Sequence, residues 1–168
     1  RIIPINASGL ALSACPQQWD YRVNQELELT NPHYEEAMQL GTAVHKYAEL
    51  IKSGESDTTA RLTSASLVPK QLTELYRILN GYEDHTGPAI IANGRSCVEF
   101  KFNEPYAVTE DGTQFNLQGT IDHIGADGSG LWINDYKTSS DSYAKEIEEK
   151  YSYSAQLRFY SFILWKYG

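Results

Sequence analysis

Two carboxylates and a lysine are the side chains of this sequence best suited to chemistry. Asp122 stands in the stretch LQGTIDHI, and Asp135 and Lys137 stand in LWINDYKTS with one residue between them. If the two stretches are neighbouring strands, the carboxylates can hold a divalent cation while the ammonium faces a phosphate. A D-x-K match is also what an ordinary ion pair at a strand end looks like, and these three residues alone leave both readings open.

The elements that must position them are legible from pattern. From Gln114 to Asp122, Phe115, Leu117 and Ile121 alternate with Gln114, Asn116, Gln118, Thr120 and Asp122, the two-residue period of a strand with one apolar and one polar face. The glycine-rich run Gly125 to Gly130 is turn chemistry, so an antiparallel hairpin brings the acid-bearing strand ends together. A second strand is expected from Leu131 to Thr138, with Leu131, Ile133, Asp135 and Lys137 on one face. A rise of about 3.3 Å per residue then sets Asp135 and Lys137 about 7 Å apart, with room for one phosphate between them. The apolar start of that face predicts burial, where a charge persists when it is paired or bound to metal.

Upstream, Gly41-Thr42-Ala43-Val44-His45 belongs to a helix in which Met38, Val44, Tyr47, Ala48 and Ile51 supply a core-facing stripe. Downstream, Gln156 and Tyr160 lie one turn apart on one face of a helix in YSYSAQLRFYSFILWKY. Ser53 to Ser66 is rich in Ser and Thr and reads as a loop. Pro69 to Asp84 reads as a helix, with Leu72, Leu75, Tyr76 and Leu79 at helical spacing and Gly87-Pro88 beyond its end. Further strands are expected over Ser96 to Asn103 and Tyr106 to Thr109, followed by a hairpin turn at Asp111-Gly112. These elements predict an α/β fold on a central mixed, mostly antiparallel sheet flanked by helices. A length of 168 residues fits a single domain, 1–168, with its own core.

Taken in order, GxxxH at Gly41 to His45, GxxD at Gly119 to Asp122, DYKT at Asp135 to Thr138 and QxxxY at Gln156 to Tyr160 resemble the RecB-like nucleases of the PD-(D/E)XK superfamily. That group includes nuclease domains of bacterial recombination helicase complexes, CRISPR-associated RecB-like exonucleases and phage recombination exonucleases. The early stretch SGLALSACPQQWDYR is similar to the family's N-terminal segment, so the resemblance runs from Ser8 to about Tyr167. Each motif alone is weak; four in the right order on the expected helix, strand, strand and helix are specific together.

The resemblance implies a restriction-endonuclease-like core and a role for each matching residue. His45, Asp122 and Asp135 would be side-chain metal ligands, with the backbone carbonyl of Tyr136 adding an oxygen. Lys137 would be the catalytic lysine, and Gln156 and Tyr160 would support the site and contact DNA. The implied function is a divalent-metal-dependent DNA nuclease, an exonuclease processing DNA ends in recombination, repair or CRISPR and phage DNA metabolism. Its partners would be DNA, as a single strand or a duplex with an end, and a helicase, a recombinase, another nucleic-acid-processing protein or further copies of the chain. Elementary chemistry agrees, since carboxylate and carbonyl oxygens suit Mg²⁺ or Mn²⁺ and an imidazole ligand favours Mn²⁺.

Blander readings stand beside these. His45 can be a helix histidine bonded to a backbone carbonyl, and Gln156 and Tyr160 can simply close their helix onto the sheet. Glu99, in CVEFKF, is either an auxiliary acid or a solvated glutamate beside Lys101, and Glu49, one turn after His45, reads by default as an exposed salt-bridging residue. A second functional reading is a catalytically inactive, nuclease-derived DNA-binding or scaffold module, whose mark would be loss of Asp135 or Lys137. A third is a metal-dependent hydrolase of a different phosphoester.

Cysteine and charge bound the rest. Some relatives hold an iron–sulfur cluster on four cysteines; Cys15 matches the first position, the other three have no counterparts, and Cys97 reads as a buried strand thiol. No such cluster is supported within this chain. Either the chain belongs to a cluster-free branch or the other ligands lie beyond Gly168, and a start at Arg1 rather than Met is in keeping with trimming. With no disulfide framework, no signal-peptide pattern and no stretch long enough for a membrane span, a cytoplasmic setting in a bacterial, archaeal or phage-infected cell is expected. The net charge of −8 opposes DNA binding. Some of that charge belongs to the metal site, and Glu35-Glu36 and Glu146 to Glu149 read as solvated faces. Weak intrinsic DNA affinity follows. Tyr151, Tyr153, Tyr160 and Tyr167, in or near the last helix, read as core edges, with base stacking as the alternative.

Overall fold

The computed structural model describes residues 1–7, 17, 32–83, 89–92, 95–138 and 154–167. Along the chain these form β1 (Ile2–Ile5), α1 (Pro32–Lys52), α2 (Asp57–Leu67), α3 (Leu72–Asn80), β2 (Ile91–Ala92), β3 (Arg95–Ser96), β4 (Val98–Val108), β5 (Gln114–Asp127), β6 (Gly130–Asn134) and α4 (Ala155–Tyr167). The fold is the expected α/β class on a mixed sheet, with strand order β1-β5-β4 and β6 paired to β5. The hairpin of β5 and β6 is antiparallel, His123 standing opposite Asn134 and Asp127 opposite Gly130. β1 is parallel to β5, with Ile2 opposite Gln114 and Ile5 opposite Leu117; nothing in the short run IIPI announces this strand. β2 and β3 form a separate antiparallel pair.

The chain divides into two compact units. The first holds β1, β4 from Lys101, β5 as far as Thr120, and α4; the second holds α1 to α3, β2, β3, the start of β4, β5 from Ile121, and β6.

In the second unit the core forms where α1 presents Ala43, Val44 and Tyr47 to Ala60 of α2, Val68, and Leu75 and Leu79 of α3. Met38 departs from the expected stripe, being 55% exposed. α2 corrects the loop expected at Ser53 to Ser66. Ser56 keeps an extended backbone and its side-chain oxygen accepts from the Thr59 amide at 3.2 Å, satisfying one of the donors a helix start leaves open. Ala60 and Ser64, one turn apart, are then fully buried. Packing of that small-residue face overrides the weak helix propensity of Ser and Thr. α3 is shorter than the expected Pro69 to Asp84, and Gly87-Pro88 lies outside the described residues.

The strands also depart in detail. Ser96 to Asn103 and Tyr106 to Thr109 are not two strands: β4 runs unbroken through Pro105, which is tolerated because β4 ends the sheet order. The turn at Asp111-Gly112 forms as expected, with Gly112 at φ 78° and the Thr113 amide donating to Asp111 Oδ1 at 3.1 Å. β6 ends at Asn134 rather than Thr138, and Leu131 is 57% exposed, so the start of that face is not buried.

Gly125 carries a sharp steric demand. A Cβ there would fall 2.1 Å from Cζ2 of Trp132, its partner across the hairpin. The indole in turn meets His123 edge-on at 5.1 Å. Gly125→Ala is expected to destabilise the fold by about 1–3 kcal/mol, the usual penalty of forced overpacking, read as a lower urea midpoint.

In the first unit, Phe159, Tyr160 and Ile163 of α4 are buried. Phe102 packs on Phe159 at 5.8 Å and on Tyr160 at 6.2 Å. The Phe102 ring also covers Gly119, where a Cβ would come within 2.9 Å of its Cζ. Among the described residues no helix is long and apolar enough to cross a membrane.

Candidate metal centre

The second unit gathers most of the expected site. α1 brings His45, and Gly41, one turn earlier, lets the helix close on the segment after β6, because a Cβ at 41 would sit 3.1 Å from Thr138 Oγ1. The GxxxH spacing thus joins a close approach at Gly41 to the side chain of His45. β5 contributes Asp122, whose side chain is only 12% exposed and whose Oδ2 lies 3.4 Å from His45 Nδ1. The Tyr136 amide donates to the same oxygen at 2.7 Å, which ties β5 to the segment carrying Asp135 and Lys137. The Tyr136 ring stands edge-on to His45, centroids 6.1 Å apart.

Burial, the largest influence, pushes the Asp122 carboxyl above the usual carboxylate range. His45 and the Tyr136 amide oppose that shift, Asp135 adds to it and Lys137 offsets it. An ionised carboxylate in such surroundings is poorly stabilised by protein alone and well stabilised by a cation.

Glu99, whose role the sequence left open, joins His45 and Asp122 in a cluster, and Asp135, the third side-chain ligand expected, is not one of the three. One ligand atom from each of His45, Glu99 and Asp122 lies within 4.8 Å of the others. Glu99, the second residue of β4, takes φ 49°, a left-handed backbone that costs a non-glycine residue of order 1–3 kcal/mol and clusters at functional sites. Alternation could not reveal this, since a strand pattern presumes extended backbone at every position. The three residues line an open cavity of about 470 Å³ together with Met38, Gly41 and Leu67.

Beside the cluster, Asp135 is buried to 3% side-chain exposure, with Lys137 Nζ 2.7 Å from its Oδ2. Neither Asp135 oxygen accepts a hydrogen bond from a described residue. A buried carboxylate with one charge contact and unfilled lone pairs is electrostatically incomplete, and a hard cation is the kind of group that completes it. The chemistry of the donor set, an imidazole nitrogen and carboxylate oxygens with the remaining positions left to water, fits Mg²⁺ and Mn²⁺.

The other expected residues fall as follows. Glu49 pairs with Lys46 at 2.7 Å, the salt-bridging role read from its position. Gln156 and Tyr160 belong to the first unit, where Gln156 Nε2 donates to Tyr160 Oη at 3.0 Å. Cys97 is a buried free thiol. Cys15, the rest of SGLALSACPQQWDYR apart from Gln17, Glu146 to Glu149, Tyr151 and Tyr153 lie outside the described residues.

A histidine and two acids that could hold a metal ion thus stand in one unit with a buried Asp135 paired to the exposed Lys137, on a mixed α/β scaffold. A family model described as the PD-(D/E)XK nuclease superfamily matches residues 8–167, and the chain belongs to that superfamily. Its members are in general metal-dependent nucleases, so a nucleic acid is the substrate the family implies. No curated protein and no solved structure matches the chain.

Proposed function

We propose that this chain is a divalent-metal-dependent deoxyribonuclease of the RecB-like kind, hydrolysing DNA phosphodiesters and acting as an exonuclease on DNA ends. The observation that carries the reading is the convergence of His45, Glu99 and Asp122, in one unit with the buried Asp135 carboxylate and its Lys137 partner. His45, Asp122 and Asp135 would hold the cation, with the Tyr136 carbonyl as a further oxygen and Glu99 as an added acid. When bound, Mg²⁺ or Mn²⁺ neutralises phosphate charge and lowers the pKa of water. Lys137 orients the attacking water and stabilises the charge that develops on phosphate. The Tyr136 amide fixes the Asp122 carboxylate in one orientation, and the Gln156 and Tyr160 pair supports DNA contact from α4. The family match spans elements of both units, which favours treating residues 1–168 as one nuclease domain. A role in recombination, repair, or CRISPR or phage DNA metabolism in the cytoplasm, with a helicase, recombinase or further copies of the chain supplying grip, suits an acidic protein of net charge −8.

Linear and circular DNA, single- and double-stranded, separate the exonuclease from an endonuclease. Linear substrates are expected to be shortened from their ends in Mg²⁺ or Mn²⁺ while circles persist. Cleavage of circles at a comparable rate overturns the exonuclease assignment.

The role of Glu99 has its own test. Glu99→Gln is expected to raise the Mn²⁺ concentration for half-maximal cleavage by about 10-fold or more, in the range typical of disturbed metal shells, with rate recovered at high Mn²⁺. An unchanged titration curve removes Glu99 from the centre.

A further inference from the structure

The first unit carries an exposed aromatic and cationic face that the metal centre does not use. Trp165, on α4, is 81% exposed, and Tyr106, on β4, is 51% exposed. Half-buried Phe162 links them, its ring 6.0 Å from Trp165 at 37° and 6.3 Å from Tyr106 at 82°. Lys166 Nζ lies 4.9 Å from the Tyr106 ring centroid and 5.9 Å from that of Phe162. Single exposed aromatics are ordinary on a protein surface, but two exposed rings joined through Phe162, with an ammonium against two of the three, form a patch that calls for an occupant.

The charge of the helix narrows that occupant. α4 reads AQLRFYSFILWKY, with Arg158 and Lys166 and no acidic residue, in a chain of net charge −8. Arg158, Phe162, Trp165 and Lys166 recur at helical spacings that share one side. Flat rings interleaved with cations match a strand that offers flat bases and a negative backbone, and stacking on such rings requires no base identity. A buried duplex base presents no free face to an indole.

We propose that Tyr106, Phe162, Trp165 and Lys166 form a stacking platform for single-stranded nucleic acid, holding bases on the rings and phosphate near the ammonium. This deepens the nuclease reading and rests on it for the class of ligand. It also supplies a local source of grip in an otherwise acidic protein.

The test is fluorescence anisotropy of the full chain with fluorescein-labelled oligothymidylate and oligouridylate, in EDTA to halt metal-dependent cleavage. Trp165→Leu keeps an apolar side chain but removes the ring, and is expected to weaken binding about 10-fold, within the range seen when one stacking ring is lost. Trp165→Phe is expected to stay within about threefold of wild type, because the ring is retained. Lys166→Ala is expected to lower the slope of log affinity against log salt by about 0.7, one phosphate contact. Position 165 is exposed enough that both variants should fold, which circular dichroism and thermal melting check. The two oligonucleotides differ in both the sugar and the thymine methyl group, and weakening of both by Trp165→Leu is what stacking without base identity predicts. Equal binding by wild type and Trp165→Leu overturns the platform, as does self-association of wild type that Trp165→Leu abolishes without any change in oligonucleotide binding, since that assigns the face to protein. Cleavage of the same oligothymidylate by wild type in Mg²⁺ is scored separately. Cleavage with Trp165-independent binding strikes only the platform, whereas Trp165-dependent binding without cleavage strikes only the nuclease reading.

Discussion

Lys137→Ala is expected to lower single-turnover DNA cleavage by about 10²- to 10³-fold, the scale on which removal of one preorganised charge-stabilising donor slows a hydrolase. The same substitution has a structural consequence. Lys137 Nζ sits 2.7 Å from an Asp135 carboxylate with 3% side-chain exposure, and that carboxylate accepts no hydrogen bond from a described residue. Removing the ammonium leaves a buried charge without its partner, which is among the costlier defects a fold can carry. The metal-free variant should therefore melt below wild type, and added Mg²⁺ should recover part of the loss while cleavage stays slow. Rates and melting curves measured side by side separate the two effects. A variant that cleaves like wild type removes Lys137 from the chemistry.

Asp122→Asn is expected to abolish both cleavage and the stabilisation of the protein by divalent cations, yet leave the metal-free fold at least as stable as wild type at neutral pH. The sign follows from the raised Asp122 carboxyl, for which burial is the leading cause. A carboxyl that holds its proton more tightly when folded contributes most below its unfolded value. That contribution is lost as pH rises through the folded value, so above it the ionised group is a net cost. Asparagine removes the charge and retains an oxygen for the Tyr136 amide. In wild type the cation offsets that cost, and at about 100 times its dissociation constant it adds about 2.7 kcal/mol by mass action. Thermal melting of both proteins in EDTA and in Mn²⁺ checks this, and an equal Mn²⁺-induced rise in Asp122→Asn contradicts it.

Much of this arrangement was legible in the sequence because it rests on local periodicity. The alternation of Phe115, Leu117 and Ile121 set the strand that carries Asp122, and the glycine-rich run after Ile124 set the hairpin. The GxxxH spacing put His45 on a helix whose Gly41 meets Thr138 at close range. What could not be read depends on contacts distant in sequence or on a single backbone angle. α2 hid in a Ser- and Thr-rich run because its helix is set by the Ser56 cap and by burial of Ala60 and Ser64, not by propensity. β1 became a strand only by lying parallel to β5. Glu99 looked no different from a solvated glutamate until its left-handed backbone and its distance to His45 and Asp122 were known. The early end of β6 moved Asp135 and Lys137 off strand register, where a repeat of fixed rise had spaced them.

The charge of the chain no longer stands alone against a nucleic-acid substrate. α4 carries Arg158 and Lys166 without an acid, and Glu99, Asp122 and Asp135 lie in the other unit, the one that holds the candidate metal centre.

The most direct measurement is release of nucleotides from end-labelled linear DNA by the intact chain, first in Mg²⁺ or Mn²⁺, then after EDTA, then after Mn²⁺ is restored in excess. The account predicts release with either cation, its loss in EDTA and its return with Mn²⁺, in wild type and not in Asp135→Ala. Release that persists in EDTA, or that survives Asp135→Ala, contradicts it.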